Sequence, residues 1–487
     1  MQLNKGSLST INKKENLQLP VNVEQPEKVL QFGTGVLLRG LPDYFIDKAN
    51  KAGVFNGRIV VVKSTDKGGT DAFATQDNLY TQCVQGITGG QKVEEYIVNA
   101  AISRVLSAAT EWEAILKCAE NPDMEIIISN TTEVGITLSD DDVKAAPPKS
   151  FPGKLLAFLL HRYLHGGKGM VIVPTELIVD NGSKLKDIVL ELAARNKLDK
   201  DFIHWLGRAN HFCNSLVDRI VPGALPATAQ AVVEQDLGYK DELMIMSEVY
   251  ALWAIEADDP KVKEILSFEK TDNGVVIVPD INVFRELKLR LLNGTHTLSC
   301  GMAYLAGFDT VKAAMSDPAM EGFISTLMRS ELVPAITDIY IREDAALRFT
   351  SSVLDRFRNP YIEHRWISIT MQYTSKMRAR VVPVLQKHYQ RSQDVPALMA
   401  LGFATYLLFM RNSEQVTDDH AALLREKWQR LEPAVLVKDV LSDVTLWGTD
   451  LTVLKGFAHM VTVMLGALLN EGVKGLLQRV SGELTEI

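Results

Sequence analysis

Val29-Leu-Gln-Phe-Gly-Thr-Gly-Val-Leu-Leu-Arg-Gly40 is the stretch whose reading sets the architecture. A short run of strand character, residues 29–32, leads directly into Gly33-Thr34-Gly35, and a helical run over residues 36–40 begins at once. Strand, glycine turn and helix start in that order let a bare backbone approach a pyrophosphate at the positive end of a helix. The third glycine of G-x-G-x-x-G is absent, because Leu38 stands in its place. The pattern therefore also fits a plain strand-to-helix turn, and its neighbours must decide.

Those neighbours repeat the theme. Residues 58–63, 125–129 and 170–173 are continuous apolar runs of strand length, which suit parallel strands buried on both faces. Helical segments at 41–52 and 110–119 lie between them, so the first half is expected to be doubly wound α/β. From about Asn282 the character changes. Helical apolar periodicity dominates over 284–306, 309–316, 319–330, 376–390, 395–413 and 456–480. The expected organisation is an α/β Rossmann-like dinucleotide-binding domain over residues 1–281, followed by a mostly α-helical domain over residues 282–487.

The helical half opens on Phe284-Arg-Glu-Leu-Lys-Leu-Arg-Leu-Leu-Asn-Gly-Thr-His296. At about 100° per residue in an α-helix, Lys288, Asn293 and His296 fall within an arc of roughly 140°. Lysine can exchange a proton, asparagine can donate to a developing alkoxide, and histidine can orient either partner. That trio suits proton transfer at a carbinol carbon. An ordinary amphipathic helix with a polar histidine has the same spacing.

The whole composition sets outer bounds. The 487 residues suffice for two or three domains; 46% hydrophobic and 23% charged residues are those of an ordinary globular chain. A net charge of −8 gives nucleic acid no attraction, and it requires any anionic substrate to be held by a local basic cluster. The N-terminus shows no apolar leader, the late apolar stretch 456–469 is read as a buried helix too short to span a bilayer, and a cytoplasmic location is expected. Cys83, Cys118, Cys213 and Cys300 are scattered, which fits a reducing compartment. His204, His211 and Cys213 do not make a zinc site, for want of a second ligand pair, and no metal is expected.

Lys-x4-Asn-x2-His at 288–296 resembles the signature of the mannitol dehydrogenase family, the polyol-specific long-chain dehydrogenases. Gly33, Gly35 and Arg39 fit that family's G-x-G-x-x-x-R, Gln76-Asp-Asn-Leu-Tyr80 is similar to another of its segments, and Ser129-Asn-Thr-Thr-Glu-Val-Gly135 looks like its cofactor-edge loop. The resemblance implies NAD, with Gly33, Thr34, Gly35, Arg39, Asp66, Asp77, Asn130 and Thr131 as cofactor-binding candidates. Asp66 follows the second strand, where an acid accepts from the ribose diol, whereas Lys63 and Ser64 would suit a 2′-phosphate. Asn214-Ser-Leu-Val-Asp-Arg-Ile-Val-Pro222 resembles the family's substrate-cavity segment and makes Asp218 a substrate candidate.

One segment departs from the family pattern. Where D-N-x-x-x-N-G is usual, this chain reads Pro174-Thr-Glu-Leu-Ile-Val-Asp-Asn-Gly182, with Glu176 and Leu177 at the Asp-Asn positions. That form resembles the branch of the family that reduces a keto-uronic acid in place of a neutral ketose. A carboxylated substrate needs a guanidinium or ammonium partner. The basic run from Arg356 to Arg380 offers one, and alignment with the family picks out Arg365 and Lys376. The resemblance thus implies metal-independent hydride transfer on a small sugar acid, by a monomer or weak oligomer, without nucleic acid or membrane. Alternatives are a mannitol- or fructuronate-type dehydrogenase, a decarboxylating dehydrogenase of the phosphogluconate kind, and a nucleotide-binding protein without chemistry.

Overall fold

The apolar runs of the first half assemble into a six-stranded sheet with every neighbouring pair parallel. Its order is 102–107, 58–63, 27–32, 126–129, 171–174, 211–212, the 3-2-1-4-5-6 arrangement of dinucleotide-binding folds. Register places Leu30 beside Val60 and Ile127, and Ile127 beside Ile172. Because side chains alternate along a strand, these residues and Phe32 share one core with the helices Trp112–Cys118, Phe151–Leu164 and Asn181–Arg195. Val29, Ile59, Val61, Ile126, Ile128 and Val171 face the other way and pack with Phe45, Ile46 and Ala49 of the helix Pro42–Lys51. Both faces are covered, which is why the strands read as unbroken apolar runs.

The computed structural model describes residues 1–64, 69–131, 134–411 and 417–485. They divide into two compact units: Met1–Gly86 with Lys92–Ile281, and Ile87–Gln91 with Asn282–Ile487. The first unit holds two smaller sheets as well. One has the order 17–18, 91–99, 80–88, 245–248; the other joins 215–218, 252–256 and 275–278. The strands 80–88, 91–99, 215–218 and 245–248 mix polar and apolar residues and so lack the continuous signature of the central sheet, whereas Val275–Val278 is an unbroken apolar run of the same kind.

The second unit is helical and built around one large apolar core. Helices at Glu343–Phe357, Ala421–Arg430 and Pro433–Ser442 add to those expected from periodicity. The late apolar stretch corrects the sequence reading. It is part of a helix, Phe457–Thr485, bent at Gly472, and residues Phe457–Val480 have the length and apolarity to cross a membrane. Its stripe Phe457, Val461, Leu465 and Leu468 is buried in the helical core. The apolar pattern runs on past Leu469, over the helical span 456–480 already expected from periodicity.

Three segments of this unit, Lys288–Asn293, Leu327–Leu332 and Met377–Val381, are π-helical. The first and last carry the residues discussed next.

Candidate active site

In the first unit, Gly33–Gly35 and Asn130–Thr131 follow the carboxyl ends of strands 27–32 and 126–129, where the strand order reverses. Gly33 has φ +126°, and a Cβ there would lie 2.9 Å from both the Asn130 carbonyl oxygen and Leu38 Cδ1. Leu38, in the third-glycine position, is thus a buried wedge beneath the turn. Gly35 precedes the helix Val36–Gly40 in extended conformation, and a Cβ on it would meet nothing within 4 Å. The turn is consequently closed on its inner side and open on its outer side, which fits the phosphate cradle of a dinucleotide. Gly40 lets the same helix seat against the Asn214–Pro222 segment, since a Cβ would stand 2.8 Å from the methyls of Val221.

The next loops are pinned by a group whose role the sequence left open. Glu176 is buried, and its carboxylate accepts from Ser129 Oγ at 3.1 Å, Thr131 N–H at 2.8 Å and Thr131 Oγ1 at 3.0 Å. Asn130 Nδ2 donates to the Thr175 carbonyl at 3.1 Å and hydroxyl at 3.0 Å. The glutamate that replaces the family's usual aspartate therefore joins the loops after two adjacent strands. Leu177, at the usual asparagine position, is 62% exposed.

Other nucleotide-side candidates are held by the fold itself. Arg39 Nη1 donates to the Leu243 carbonyl at 2.7 Å, with the guanidinium over the rings of Phe73 and Tyr80. Asp77 accepts from the Lys5 N–H at 2.9 Å, tying down the first turn of the chain. Asp66 lies outside the described residues. Asp218 is buried at the end of its strand, opposite Leu252. Arg219, beside it, donates to the Gly40 and Glu248 carbonyls and covers the Tyr44 ring at 4.3 Å.

In the second unit the helix through Lys288 is not the uniform α-helix assumed from spacing. Between Lys288 and Asn293 the backbone is π-helical, and the Gly294 N–H bonds the Leu289 carbonyl five residues back. An i→i+5 turn brings residues five apart over one another, so Lys288 and Asn293 share a face more closely than α geometry allows. Both are half-buried, and His296 is buried in the α-helical continuation, Gly294–Leu305.

The second π segment has a visible cause. Pro383 has no N–H to bond Ala379, four residues back. Arg290, from the first segment, supplies the donor: its Nη1 reaches the Ala379 carbonyl at 2.7 Å and the Arg380 carbonyl at 3.2 Å. Nε and Nη2 of the same guanidinium grip Glu286 at 3.0 and 3.2 Å. One buried arginine thus clamps the two π segments together.

His296 stacks on Phe357 with ring centroids 4.1 Å apart, and His364 and Trp366 meet it edge-on at 5.0 and 6.0 Å. Burial, reinforced by repulsion from His364, Arg356, Arg380 and Lys376, pushes its pKa far below the ordinary histidine range. The ring is neutral at pH 7, and its Nε2 is buried without a hydrogen-bond partner among the described residues. Lys376 donates to the Ile369 carbonyl at 2.8 Å; burial, then Arg380, lowers its pKa. Arg380 Nη1 donates to Thr297 Oγ1 at 3.1 Å, and that hydroxyl donates to the Asn293 carbonyl at 2.7 Å.

Arg365 does not join this group. It is exposed and pairs with Asp309 at 3.0 Å. Arg365 is the extended N-cap of the short helix Trp366–Ile369 and bridges Thr310; Trp366 is buried and His364 half-buried on either side of it. His364 and Trp366 turn inward and Arg365 outward. Sequence inspection saw the basic run but not this alternation, and so passed over Arg356, His364 and Arg380.

Comparison with known proteins gives both the class, an oxidoreductase, and the family. Residues 27–267 match the mannitol dehydrogenase Rossmann domain and residues 280–469 the mannitol dehydrogenase C-terminal domain; the chain belongs to the mannitol dehydrogenase family. Among curated relatives, altronate oxidoreductase of Bacillus subtilis is 37% identical, over 94% of this chain and 95% of that protein. Altronate oxidoreductase of Klebsiella pneumoniae is 36% identical, over 93% and 97%. The fold is shared with Pseudomonas fluorescens mannitol 2-dehydrogenase, solved with NAD and D-mannitol (TM-score 0.69, 21% identity, 99% of both chains). It is shared too with a substrate-free D-sorbitol dehydrogenase (TM-score 0.77, 20% identity, 98% and 100%).

Proposed function

We propose that this enzyme interconverts altronate and tagaturonate with NAD, in hexuronate breakdown, and that Lys288 carries the proton. The observation that carries the sugar-acid assignment is the company of His296: His364, Arg380 and Lys376, all basic, are among the groups whose charge acts on its ring. A neutral ketose gives such a cluster nothing to neutralise, whereas a keto-uronate brings a carboxylate. The names of the curated relatives support the same reading.

NAD supplies the hydride acceptor in the oxidative direction and its reduced form the donor in the other. Gly33–Gly35 would hold its pyrophosphate, and the Asn130–Thr131 loop, fixed by Glu176, would border it. The choice of NAD over NADP follows the family resemblance, with Asp66 as the expected ribose partner. In reduction, Lys288 gives a proton to the ketone oxygen while Asn293 donates a hydrogen bond to the same oxygen. In oxidation, Lys288 takes the hydroxyl proton back. His296, neutral and with an open Nε2, orients a substrate hydroxyl without adding charge. Lys376 and Arg380 hold the carboxylate. Arg365, already paired with Asp309 at the surface, has no part in this scheme; Asp218 remains a candidate for a substrate hydroxyl.

The test is NADH oxidation with tagaturonate, fructuronate and fructose in parallel, and NADPH as the second cofactor. Tagaturonate is expected to be turned over with NADH at least tenfold more efficiently than the others. Preference for fructose would refute the carboxylate argument and leave the proton chemistry standing.

A further inference from the structure

We propose that Glu120, His161 and His165 form a zinc-binding site on the first unit, separate from the residues assigned to hydride transfer. His161 Nε2 lies 3.1 Å and His165 Nε2 4.0 Å from Glu120 Oε1, and the three ligand atoms fall within 4.8 Å of one another. Zinc with bonds of about 2.0–2.1 Å places tetrahedral ligand atoms roughly 3.4 Å apart, so only a small closure of His165 is needed. Two imidazoles and a carboxylate leave a fourth position for water, a ligand set that suits this borderline cation better than calcium or magnesium.

Three features show that the cluster is built. His165 Nδ1 faces the His161 carbonyl at 2.8 Å. A carbonyl only accepts, so that nitrogen carries the proton and Nε2 keeps its lone pair for a metal, the support that zinc histidines ordinarily receive. The two rings lie face to face at 4.1 Å, one α-turn apart at the end of the helix Phe151–Leu164, where the helix dipole favours a cation. Arg162, buried between them in sequence, donates to the Ala119 and Asn121 carbonyls at 3.1 and 3.2 Å. It thereby fixes the residues on both sides of Glu120 and holds that carboxylate against the histidines. Glu120 Oε2 receives the Lys117 ammonium at 2.5 Å, which leaves Oε1 to the imidazoles.

The cation would join the turn after Trp112–Cys118 to the end of the next helix. Its role is to brace the outer layer of the first unit, not to act on substrate. The four cysteines are all buried and do not compete for it in the folded protein.

The experiment is calorimetric titration of the tag-free, chelator-treated full chain with zinc chloride alone. Wild type should take up one equivalent saturably, and zinc should raise its unfolding temperature. His161→Gln with His165→Gln should weaken uptake by more than about a hundredfold, beyond what loss of a supporting contact costs, and abolish the thermal shift. Glu120→Gln, a single surface change, provides the same test with less risk to folding and should weaken uptake at least about tenfold. Both proteins should retain wild-type turnover. Absence of saturable uptake by wild type, or uptake unaltered in these variants, overturns the proposal.

Discussion

Arg380→Gln separates a carboxylate-binding site from a merely basic one. The guanidinium is half-buried, spends one N–H on Thr297 Oγ1 at 3.1 Å, and keeps its remaining donors. A hydrogen bond to a charged group is worth about 1.5–3 kcal/mol. Loss of one such contact with a substrate carboxylate should therefore lower kcat/KM about 10- to 150-fold. Glutamine keeps a donor for Thr297, so the fold should hold, and a circular-dichroism melt checks it. The assay is stopped-flow and steady-state NADH oxidation with tagaturonate and fructose. With fructose, which has no carboxylate, the same substitution should change kcat/KM less than about threefold. Arg365→Gln should change neither, because an exposed pair such as Arg365–Asp309 contributes only about 0–1 kcal/mol and to stability alone. Equal losses on both substrates, or no loss on tagaturonate, would refute the assignment of Arg380.

Lys288→Ala should depress kcat by about a hundred- to ten-thousandfold, the range of positioned proton transfer, while NADH affinity measured by fluorescence quenching stays within a few-fold; survival of turnover would remove Lys288 as the proton carrier. Gly33→Ala places a Cβ 2.9 Å from a backbone oxygen at φ +126°, a conformation open to glycine alone, and should weaken NADH binding at least about tenfold, read in the same titration. His296 makes stability depend on pH. Its folded pKa lies far below the unfolded value of about 6.5, so the unfolded chain binds the extra proton. Stability should fall as pH drops below about 6.5, with up to about 1.4 kcal/mol per pH unit from this one group. His296→Asn should flatten that slope in urea unfolding followed from pH 7.5 to 5; an unchanged slope would show the histidine to be solvated.

Glu176 shows where sequence reading stops. Its place in Pro174-Thr-Glu176 was plain, yet only the fold brings Ser129 and Thr131, some 45 residues earlier, to its carboxylate. The Lys288 segment teaches a related lesson. Its three polar residues were read as one face of an α-helix, but their angular relation depends on a π turn, and that turn is braced by the Arg290 clamp to a segment 90 residues away. His161 and His165 are likewise visible as an i, i+4 pair, while Glu120, 41 residues before His161, meets them only in the fold.

What the sequence by itself determined was periodicity and local conformation: unbroken apolar runs for a sheet buried on both faces, a glycine turn at its first crossover, and helical spacing beyond Asn282. These follow from short-range geometry, since strand and helix repeats are written in neighbouring residues. Tertiary structure alone decided which member of a basic run turns inward, as with His364 and Trp366 against Arg365, and which acid is solvated or shared. Orientation and burial of that kind arise from contacts between distant segments, whose free energy no local pattern records.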